Sequence, residues 1–188
     1  MPIFPGPSSG GSSVLDMMLD LGASLAEYGE PINASEMGDG RPGLSWDTGN
    51  GDVRMLLENS NAENWSGIAT WVIPVSQAVI DSGSLTVQIA AECNSDTTLP
   101  SCTLGVTASV VPQDYGAEDP IFITATPPSV NMVPLIGPIT ILSFTLSLAG
   151  VTANSTVYLR IEMQVESPGV GERAFIQIWN VRVAQAGA

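Results

Sequence analysis

The chain has no lysine and no histidine, and only five arginines stand against 19 aspartates and glutamates. Without histidine there can be no Ser-His or Cys-His pair and no His-ligated zinc. Without lysine there is no Schiff base and no P-loop lysine. These absences exclude most common catalytic sites, and we expect a protein that is not an enzyme and needs no cofactor.

The scarcity of positive charge also restricts the classes of partner that the chain can bind. The formal net charge is -14, and such a chain repels phosphate backbones and anionic lipid surfaces. The N-terminus has no basic segment followed by an apolar one, and no run of about 18 apolar residues occurs. We therefore expect neither nucleic-acid binding nor a membrane association, and no cleaved export signal.

Cysteine is scarce as well, with Cys93 and Cys102 bracketing the segment CNSDTTLPSC. The two side chains could close this loop as a disulfide, or they could be free thiols at the ends of neighbouring strands. The spacing alone leaves both alternatives open.

The composition divides the chain into two parts. Residues 1–43 are rich in Pro, Gly and Ser, whereas residues 44–188 form a succession of alternating apolar and polar runs. The total length suits one domain with a substantial core. We expect an extended N-terminal arm over 1–43 and a β-sandwich domain over 44–188.

One segment of the arm has helical periodicity. Ser13 is a suitable N-cap, and Gly29 and Pro31 would end the helix. The apolar stripe of this predicted amphipathic helix consists of Val14, Met17, Met18, Leu21 and Leu25. Such a stripe must pack on something. We interpret it as a partner-binding surface, with packing on the chain's own domain as the open alternative.

The domain reads as antiparallel β-structure. Four runs alternate strictly, with their apolar positions at Leu85, Val87, Ile89 and Ala91; Leu104, Val106, Ala108 and Val110; Leu142, Phe144, Leu146 and Leu148; and Val157, Leu159, Ile161, Met163 and Val165. Further strands are predicted at 65–75, 120–126 and 174–183, the last with a β-bulge near Trp179 because its apolar positions change phase there.

These strands predict an all-β fold, an antiparallel β-sandwich of the jelly-roll type. An immunoglobulin-like sandwich is the nearest competitor. The cysteines disfavour it, since a pair nine residues apart is not expected to bridge two sheets as in that fold.

The triplet Asp47-Thr48-Gly49 matches the active-site signature of aspartic proteases. It lies between two short alternating runs, and Asn50-Gly51 predicts a type I′ hairpin turn beside it. An aspartic protease also needs two aspartates that share a proton. We interpret Asp47 as a residue at the mouth of a hairpin.

Several turn carboxylates are candidate calcium ligands, but their spacing matches no EF-hand. They are Asp39, Asp47, Asp52, Asp114, Glu118 and Asp119. Solvated carboxylates are the better interpretation, and no metal site is predicted.

Three stretches resemble the jelly-roll domains of tailed-bacteriophage virion proteins, especially head decoration (cement) proteins. They are GIATWVIPVSQAVIDSGSLTVQIAAE, LSFTLSLAGVTANSTVYLRIEMQV and RAFIQIWNVRVAQ, which together lie within residues 65–185. The hairpin containing Tyr158-Leu159-Arg160-Ile161 is the most similar part, although Asn154-Ser155 stands where the family often has Gly-Asp.

This resemblance implies a non-enzymatic structural protein on the outer capsid surface of a virion. Its partner would be the major capsid protein, and it would form a homo-oligomer, a trimer or a dimer. The arm would lie along a neighbouring subunit.

Two other function classes stay open at this point. A receptor- or carbohydrate-binding jelly roll of a phage fibre or spike would use exposed aromatic residues, of which Trp65, Trp71, Tyr115 and Trp179 are the candidates. A glycosidase would use two carboxylates.

Overall fold

The computed structural model describes residues 15–25, 43–47, 52–59, 64–95, 102–112, 120–132, 139–151, 155–166 and 172–185. These ranges hold β1 (Asp16–Met18), a 3-10 turn (Leu21–Ala23), β2 (Gly43–Asp47), β3 (Asp52–Asn59), β4 (Trp65–Val75), α1 (Gln77–Asp81), β5 (Ser84–Ser95), β6 (Cys102–Pro112), β7 (Ile121–Met132), β8 (Thr140–Ser147), β9 (Ser155–Val165) and β10 (Ala174–Gln185). None of the helices in these ranges has the length and apolarity to cross a bilayer.

The strands form two antiparallel sheets. Sheet A has the order β2-β3-β10-β5-β8, with β1 beside β10, and sheet B has the order β7-β6-β9-β4. The pair Thr126↔Thr145 joins β7 to β8 where the two sheets meet. From β3 to β10 the chain places β3, β5, β8 and β10 in one sheet and β4, β6, β7 and β9 in the other, which is the strand arrangement of a jelly roll. The predicted fold class is confirmed.

The core lies between the sheets and consists of the alternating positions expected from the sequence. Phe144, Ile161 and Ile89 are among the fully buried side chains, and one such residue contributes roughly 1.5–3 kcal/mol when it leaves water. The predicted strand phases are confirmed for all four alternating runs.

The β-bulge near Trp179 is also confirmed. The register of β10 against β5 shifts between Ile178 and Asn180. Because the bulge inserts one residue, Ile176 and Ile178 before it and Val181 and Val183 after it all face the core.

Cys93 and Cys102 form a disulfide with a Cα–Cα distance of 6.3 Å. Cys93 lies on β5 of sheet A and Cys102 on β6 of sheet B, so the expectation that so short a spacing would not bridge the sheets is wrong. The physical reason is that the chain crosses from one sheet to the other between these two strands. The strand order, and not the cysteine spacing, distinguishes this fold from an immunoglobulin-like one.

The hairpin predicted around Asp47 is confirmed in part. Strands β2 and β3 pair antiparallel, and Asp47↔Asp52 is the last pair before their connection. Asp47 therefore ends β2 at the mouth of the hairpin. The predicted turn at Asn50-Gly51 lies outside the described residues.

The helix predicted in the arm is wrong for the described part, residues 15–25, which we call the strap. Residues 16–18 pair with β10, and the amide of Leu19 donates to the carbonyl of Val181 at 2.8 Å. A 3-10 turn follows, and Leu25 then exchanges two backbone hydrogen bonds with Thr70 of β4. The strap thus runs from a strand of sheet A to the edge strand of sheet B.

Pairing with β10, which is distant in sequence, explains why the strap does not form the predicted helix. Strand β3 pairs only with residues 174–178 of β10, which leaves the second half of β10 with unpaired backbone groups unless another strand supplies them. The strap supplies hydrogen-bond partners to the unpaired backbone groups of β10, and it buries Leu19 and Leu21 in the core. Tertiary pairing outweighs the helical periodicity, and part of the predicted arm contributes a strand to the domain.

Candidate functional site: the outer face of sheet B

The outer face of sheet B carries the side chains that alternate with the core positions of β4, β9, β6 and β7. The pairing registers align them in rows across the strands. From one end of the face to the other the rows are Ser66, Gln164, Thr103 and Asn131; Ile68, Glu162, Gly105 and Ser129; Thr70, Arg160, Thr107 and Thr124; Val72, Tyr158, Ser109 and Phe122; and Pro74, Thr156 and Val111. Neighbouring strands are about 4.8 Å apart, so a row of four spans roughly 14 Å.

The last two rows contain an exposed apolar band, which we define as Val72, Pro74, Val111, Phe122 and Tyr158; the polar residues Ser109 and Thr156 lie among them. Phe122 is 79% exposed, Val72 49% and Val111 36%. These three are half of the large hydrophobic residues that are exposed in the described part of the chain. Single exposed apolar residues are ordinary, but a contiguous patch indicates an interaction surface.

The opposite end of the face is polar. The Gln164 Nε2 atom donates to Glu162 Oε1 at 2.8 Å, and the Thr103 hydroxyl donates to Asn131 Oδ1 at 2.9 Å. Because these partners lie on the same or adjacent strands, the hydrogen bonds restrict the side chains without covering them. Arg160 and Glu162 separate this polar end from the apolar band.

A groove of about 250 Å³ opens at the polar end. It is lined by Asn64, Trp65, Ser66, Thr103, Gln164 and Glu166, with Val165 beneath. Trp65 begins β4 and is half-buried, whereas Ser66 and Gln164 are exposed. The outward side chains of the groove are therefore amides, hydroxyls and one carboxylate, whereas Trp65 pairs with the buried Val165 in the core-facing phase of β4.

A glycine permits the close approach of two strands at the centre of this face. The register between β6 and β7 shifts between Gly105 and Thr107, beside the cis peptide bond Thr126-Pro127. A Cβ atom on Gly105 would lie 3.3 Å from the carbonyl oxygen of Pro128, so a side chain there would crowd the β7 backbone. The position marks where β7 turns from sheet B towards β8.

The outer face of sheet A is organised differently, because its polar side chains bind one another. The Nε and Nη2 atoms of Arg182 donate to the two carboxylate oxygens of Asp16, at 2.7 and 2.8 Å. The Nη1 atom of Arg182 donates to Gln88 Oε1 at 3.3 Å. The hydrogen bonds from Arg182 lower the pKa of Asp16 below its ordinary value of 3.8, and they outweigh the opposing effect of burial. Asp16 belongs to the strap, so this pair fixes the strap to β10.

A second cluster lies nearby on the same face. Arg54 stacks on the Trp179 ring at 5.0 Å and donates to Gln177 Oε1 at 3.1 Å. The bulge at Trp179 places its ring beside β3, where the cation–π contact forms. The outer face of sheet A is thus partly covered by residues of the chain itself.

The residues predicted to bind a partner do not form one stripe. Met17 and Met18 are exposed, but consecutive residues of a strand point to opposite faces. Leu21 is only 6% exposed and packs in this chain's own core, while Leu25 is half-buried against β4. Val14 lies outside the described residues. Of the four predicted residues that the structure describes, Met17 and Met18 are the exposed ones.

The aromatic candidates also separate. Trp71 is buried, and its indole N–H donates to the carbonyl of Asp20 in the strap at 2.9 Å. Trp179 packs against Arg54, Trp65 lines the groove, and Tyr115 lies outside the described residues. Of the three candidates within the described residues, Trp65 is the one that lies at the groove.

The six carboxylates considered as calcium ligands are described only in part. Asp47 and Asp52 are backbone partners in the register of β2 and β3, and Asp39, Asp114, Glu118 and Asp119 lie outside the described residues. In the ranges that the structure describes, no three Asp, Glu, Cys or His residues converge as a metal site would require.

The apolar band was not predicted from the sequence. Its signal is present in the outward phase of β4, where Ile68, Val72 and Pro74 replace the polar residues expected on a solvated face. The strand registers were needed to show that Val72 and Phe122, which are far apart in sequence, lie in one row.

Comparisons with known proteins do not identify a family for this chain. No family model matches the chain, and no curated protein matches it. A solved structure of the Clostridium thermocellum endo-1,4-beta-D-xylanase 10B CBM22-1-GH10 modules complexed with xylohexaose is 14% identical, with a TM-score of 0.36; the match covers 92% of this chain and 26% of that one. A structure of carbohydrate-binding modules from the β-sandwich superfamily is 11% identical, with a TM-score of 0.35, and the match covers 67% of this chain and 51% of that one.

In both cases the matched region is less than two thirds of the other protein. At this level of similarity, neither structure carries an argument about what this chain binds.

Proposed function

We propose that the chain is a non-enzymatic structural protein of a virion that binds the outer surface of a phage capsid and stabilises it. The observation that carries this proposal is the apolar band on the outer face of sheet B. The sequence resemblance to decoration proteins supplies the partner, a major capsid protein.

The band has the properties of a docking surface. Phe122, Val72 and Val111 expose apolar area to water in the isolated chain, and moving that area into a contact gains about 25 cal/mol per Å². A regular sheet face is also broad and rigid, so binding would require little ordering of the backbone. These properties suit attachment to a shell.

The distribution of charge also supports docking through the apolar band. The chain as a whole carries a net charge of -14, whereas the residues of the band are uncharged. An uncharged contact surface on an acidic protein allows apolar docking, and the acidic remainder keeps decorated particles apart in solution.

Self-association into a dimer or trimer remains part of the proposal. Met17 and Met18 are exposed at the strap and stay candidates for contact with a neighbouring subunit. Methionine side chains adapt well to such contacts.

The test is co-sedimentation of the chain with phage capsids that were assembled from a major capsid protein in its absence. Phe122→Ser should weaken binding by about 2 kcal/mol, or roughly 30-fold in Kd. Val72→Ser should act in the same direction. Because both side chains are exposed, the melting temperatures should not change.

Ile141→Ser is the matched control, since Ile141 is 40% exposed but lies on β8 of sheet A. It should bind like the unmodified chain. Equal binding by all three variants would reject the band as the attachment surface, and no binding by the unmodified chain would reject capsid attachment itself.

A further inference from the structure

We infer that Arg160 is the charged contact residue of the outer face of sheet B and binds a carboxylate on the surface of the partner. This inference rests on the proposed attachment through that face, and it adds the chemistry that the partner must present beside its apolar contact. The observation behind it is the position of this arginine, in a strongly acidic chain, in the row next to the apolar band.

Arg160 lies in the middle of the outer face. It belongs to β9, and the registers place Thr70 of β4 on one side of it and Thr107 of β6 on the other. Tyr158, two residues earlier on β9, begins the apolar band and pairs with Val72 of β4. Neighbouring strands are about 4.8 Å apart and alternate residues of one strand roughly 7 Å apart. One partner can therefore contact the guanidinium, the two hydroxyls and the band together.

The other arginines of the described part are engaged within the chain. Arg182 binds the Asp16 carboxylate, Arg54 stacks on an indole ring, and Arg173 lies 3.6 Å from a glutamate. In the ranges that the structure describes, no acceptor takes a hydrogen bond from the guanidinium of Arg160 and no carboxylate pairs with it. The side chain is half-buried on the face that the partner would cover.

The carboxylate that lies nearest along β9 is directed away from Arg160. Glu162 is two residues further along the strand, and its Oε1 atom accepts a hydrogen bond from Gln164 Nε2 at 2.8 Å. Gln164 lies towards the polar end of the face, on the side opposite to the apolar band. This hydrogen bond holds Glu162 at the polar end and leaves Arg160 beside the band.

The donor geometry of an arginine matches a carboxylate. The planar guanidinium has five N–H donors and can form two parallel hydrogen bonds with the two carboxylate oxygens. The hydroxyls of Thr70 and Thr107 can donate to the same group. When a partner covers the band, it also removes water from Arg160, and a guanidinium that loses water without gaining an acceptor destabilises the contact. Docking through the band therefore favours a partner that supplies an acceptor at Arg160.

The charge of the chain favours a single carboxylate over a polyanion. An extended phosphate chain would meet the repulsion of a net charge of -14 along its whole length. A single carboxylate inside an apolar contact interacts mainly with Arg160, because charges beyond about 8–10 Å are screened at physiological ionic strength. A cationic or purely apolar partner surface would leave the guanidinium unpaired.

The experiment measures co-sedimentation of the full chain with the same capsids. Arg160→Gln should weaken binding by about 10- to 100-fold in Kd. Arg160→Lys should lie between that variant and the unmodified chain, because an ammonium group keeps the charge but loses the paired hydrogen bonds. Arg173→Gln is the matched control, since it removes the same formal charge from a side chain that is 70% exposed next to sheet A. It should bind like the unmodified chain, and all three variants should keep its melting temperature.

A second arm tests the carboxylate of the partner. The surface carboxylates of the capsids are converted to amides with a carbodiimide and glycinamide, and electron microscopy checks that the shells stay intact. Through long-range charge alone, this treatment should strengthen the binding of a chain with a net charge of -14. Weaker binding after amidation therefore identifies a specific pair. The unmodified chain should lose as much affinity as Arg160→Gln loses, and Arg160→Gln should not weaken further, because its pair is already absent.

The outcomes separate this inference from the proposed function. Normal binding by Arg160→Gln, an equal loss in Arg173→Gln, or amidated capsids that bind the unmodified chain as well as before or better would each overturn the Arg160 contact. Attachment through the apolar band would then still be supported by a loss of binding in Phe122→Ser. Failure of the unmodified chain to bind untreated capsids would reject both proposals.

Discussion

The two outer faces of the sandwich use similar strands for different purposes. On sheet A, Arg182 and Gln177 point away from the core and are still only 9% and 8% exposed. On sheet B, Phe122 and Val72 occupy equivalent outward positions and are 79% and 49% exposed. A face that is covered by its own chain contributes to stability, and a face that leaves apolar groups in water is available for binding.

Two local features explain why the outer face of sheet A is covered while that of sheet B is exposed. The strap adds a strand beside β10 and brings Asp16 to Arg182. The bulge at Trp179 places an indole against Arg54. Sheet B has no comparable covering segment in its described part, apart from the contact of Leu25 with Thr70 at the edge of β4.

The largest expected effect comes from placing a charge on the inner side of either sheet. Ile161→Asp and Leu146→Asp should unfold the domain, because each would bury an unpaired carboxylate at a position that is at most 1% exposed. The neighbouring changes Glu162→Gln and Thr145→Asp point outward and should cost less than about 0.5 kcal/mol. Thermal melts of the four variants measure the contrast, and equal tolerance would contradict the strand phases.

The next largest loss of stability is expected from Leu21→Ala, which tests whether the strap belongs to the core of the domain. Leu21→Ala should lower the free energy of unfolding by about 2–4 kcal/mol, as expected for a truncated core leucine. Met18→Ala is the control, since Met18 lies in the same segment but is 49% exposed, and it should change stability by less than about 0.5 kcal/mol. Urea titration gives both values. If Leu21→Ala were harmless, the strap would not be part of the core.

A smaller effect is expected from the ion pair that fixes the strap. Asp16→Asn should cost about 1–3 kcal/mol at neutral pH, because the pair is largely shielded from solvent. Glu58→Gln, at the 3.6 Å pair with the mostly exposed Arg173, should cost much less.

The pH dependence of this ion pair has a defined sign. The pKa of Asp16 is lowered in the folded chain, so its stabilisation is present above the unfolded pKa of about 3.8 and is lost as the pH falls through the lower folded value. The stability difference between the unmodified chain and Asp16→Asn should therefore shrink below about pH 3.8. A difference that persisted at lower pH would show that the carboxylate charge is not responsible.

The smallest effect on stability should come from the exposed apolar residues of sheet B. Phe122→Ser and Val72→Ser should leave the melting temperature within about 1 °C of the unmodified chain, because neither side chain is in the core. A lowered melting temperature in either variant would mean that the band supports the fold.

Sequence reasoning succeeded where a local pattern determines the structure. The alternation in β5, β6, β8 and β9 indicated the buried faces, and the phase change in 174–183 indicated the bulge at Trp179. It failed for the strap, because residues 14–25 have helical periodicity while their actual partner, β10, lies far away in sequence. Local pattern cannot show that half of β10 needs another strand.

The candidate site was only partly predictable for a related reason. Trp65 was recognised as an available aromatic residue, but the groove requires β4, β6 and β9 in register. The apolar band similarly joins Val72 of β4 to Phe122 of β7 across two intervening strands. Alternation identifies outward residues, and only the strand order shows which of them are neighbours.

The central claim is that the chain binds through the outer face of sheet B and keeps sheet A for its own stability. Hydroxyl-radical footprinting of the full chain, free and bound to capsids, tests it most directly. The account predicts that Phe122 and Tyr158 lose reactivity on binding while Ile141 of sheet A does not. Protection of Ile141 with unchanged labelling of Phe122 and Tyr158 would contradict it.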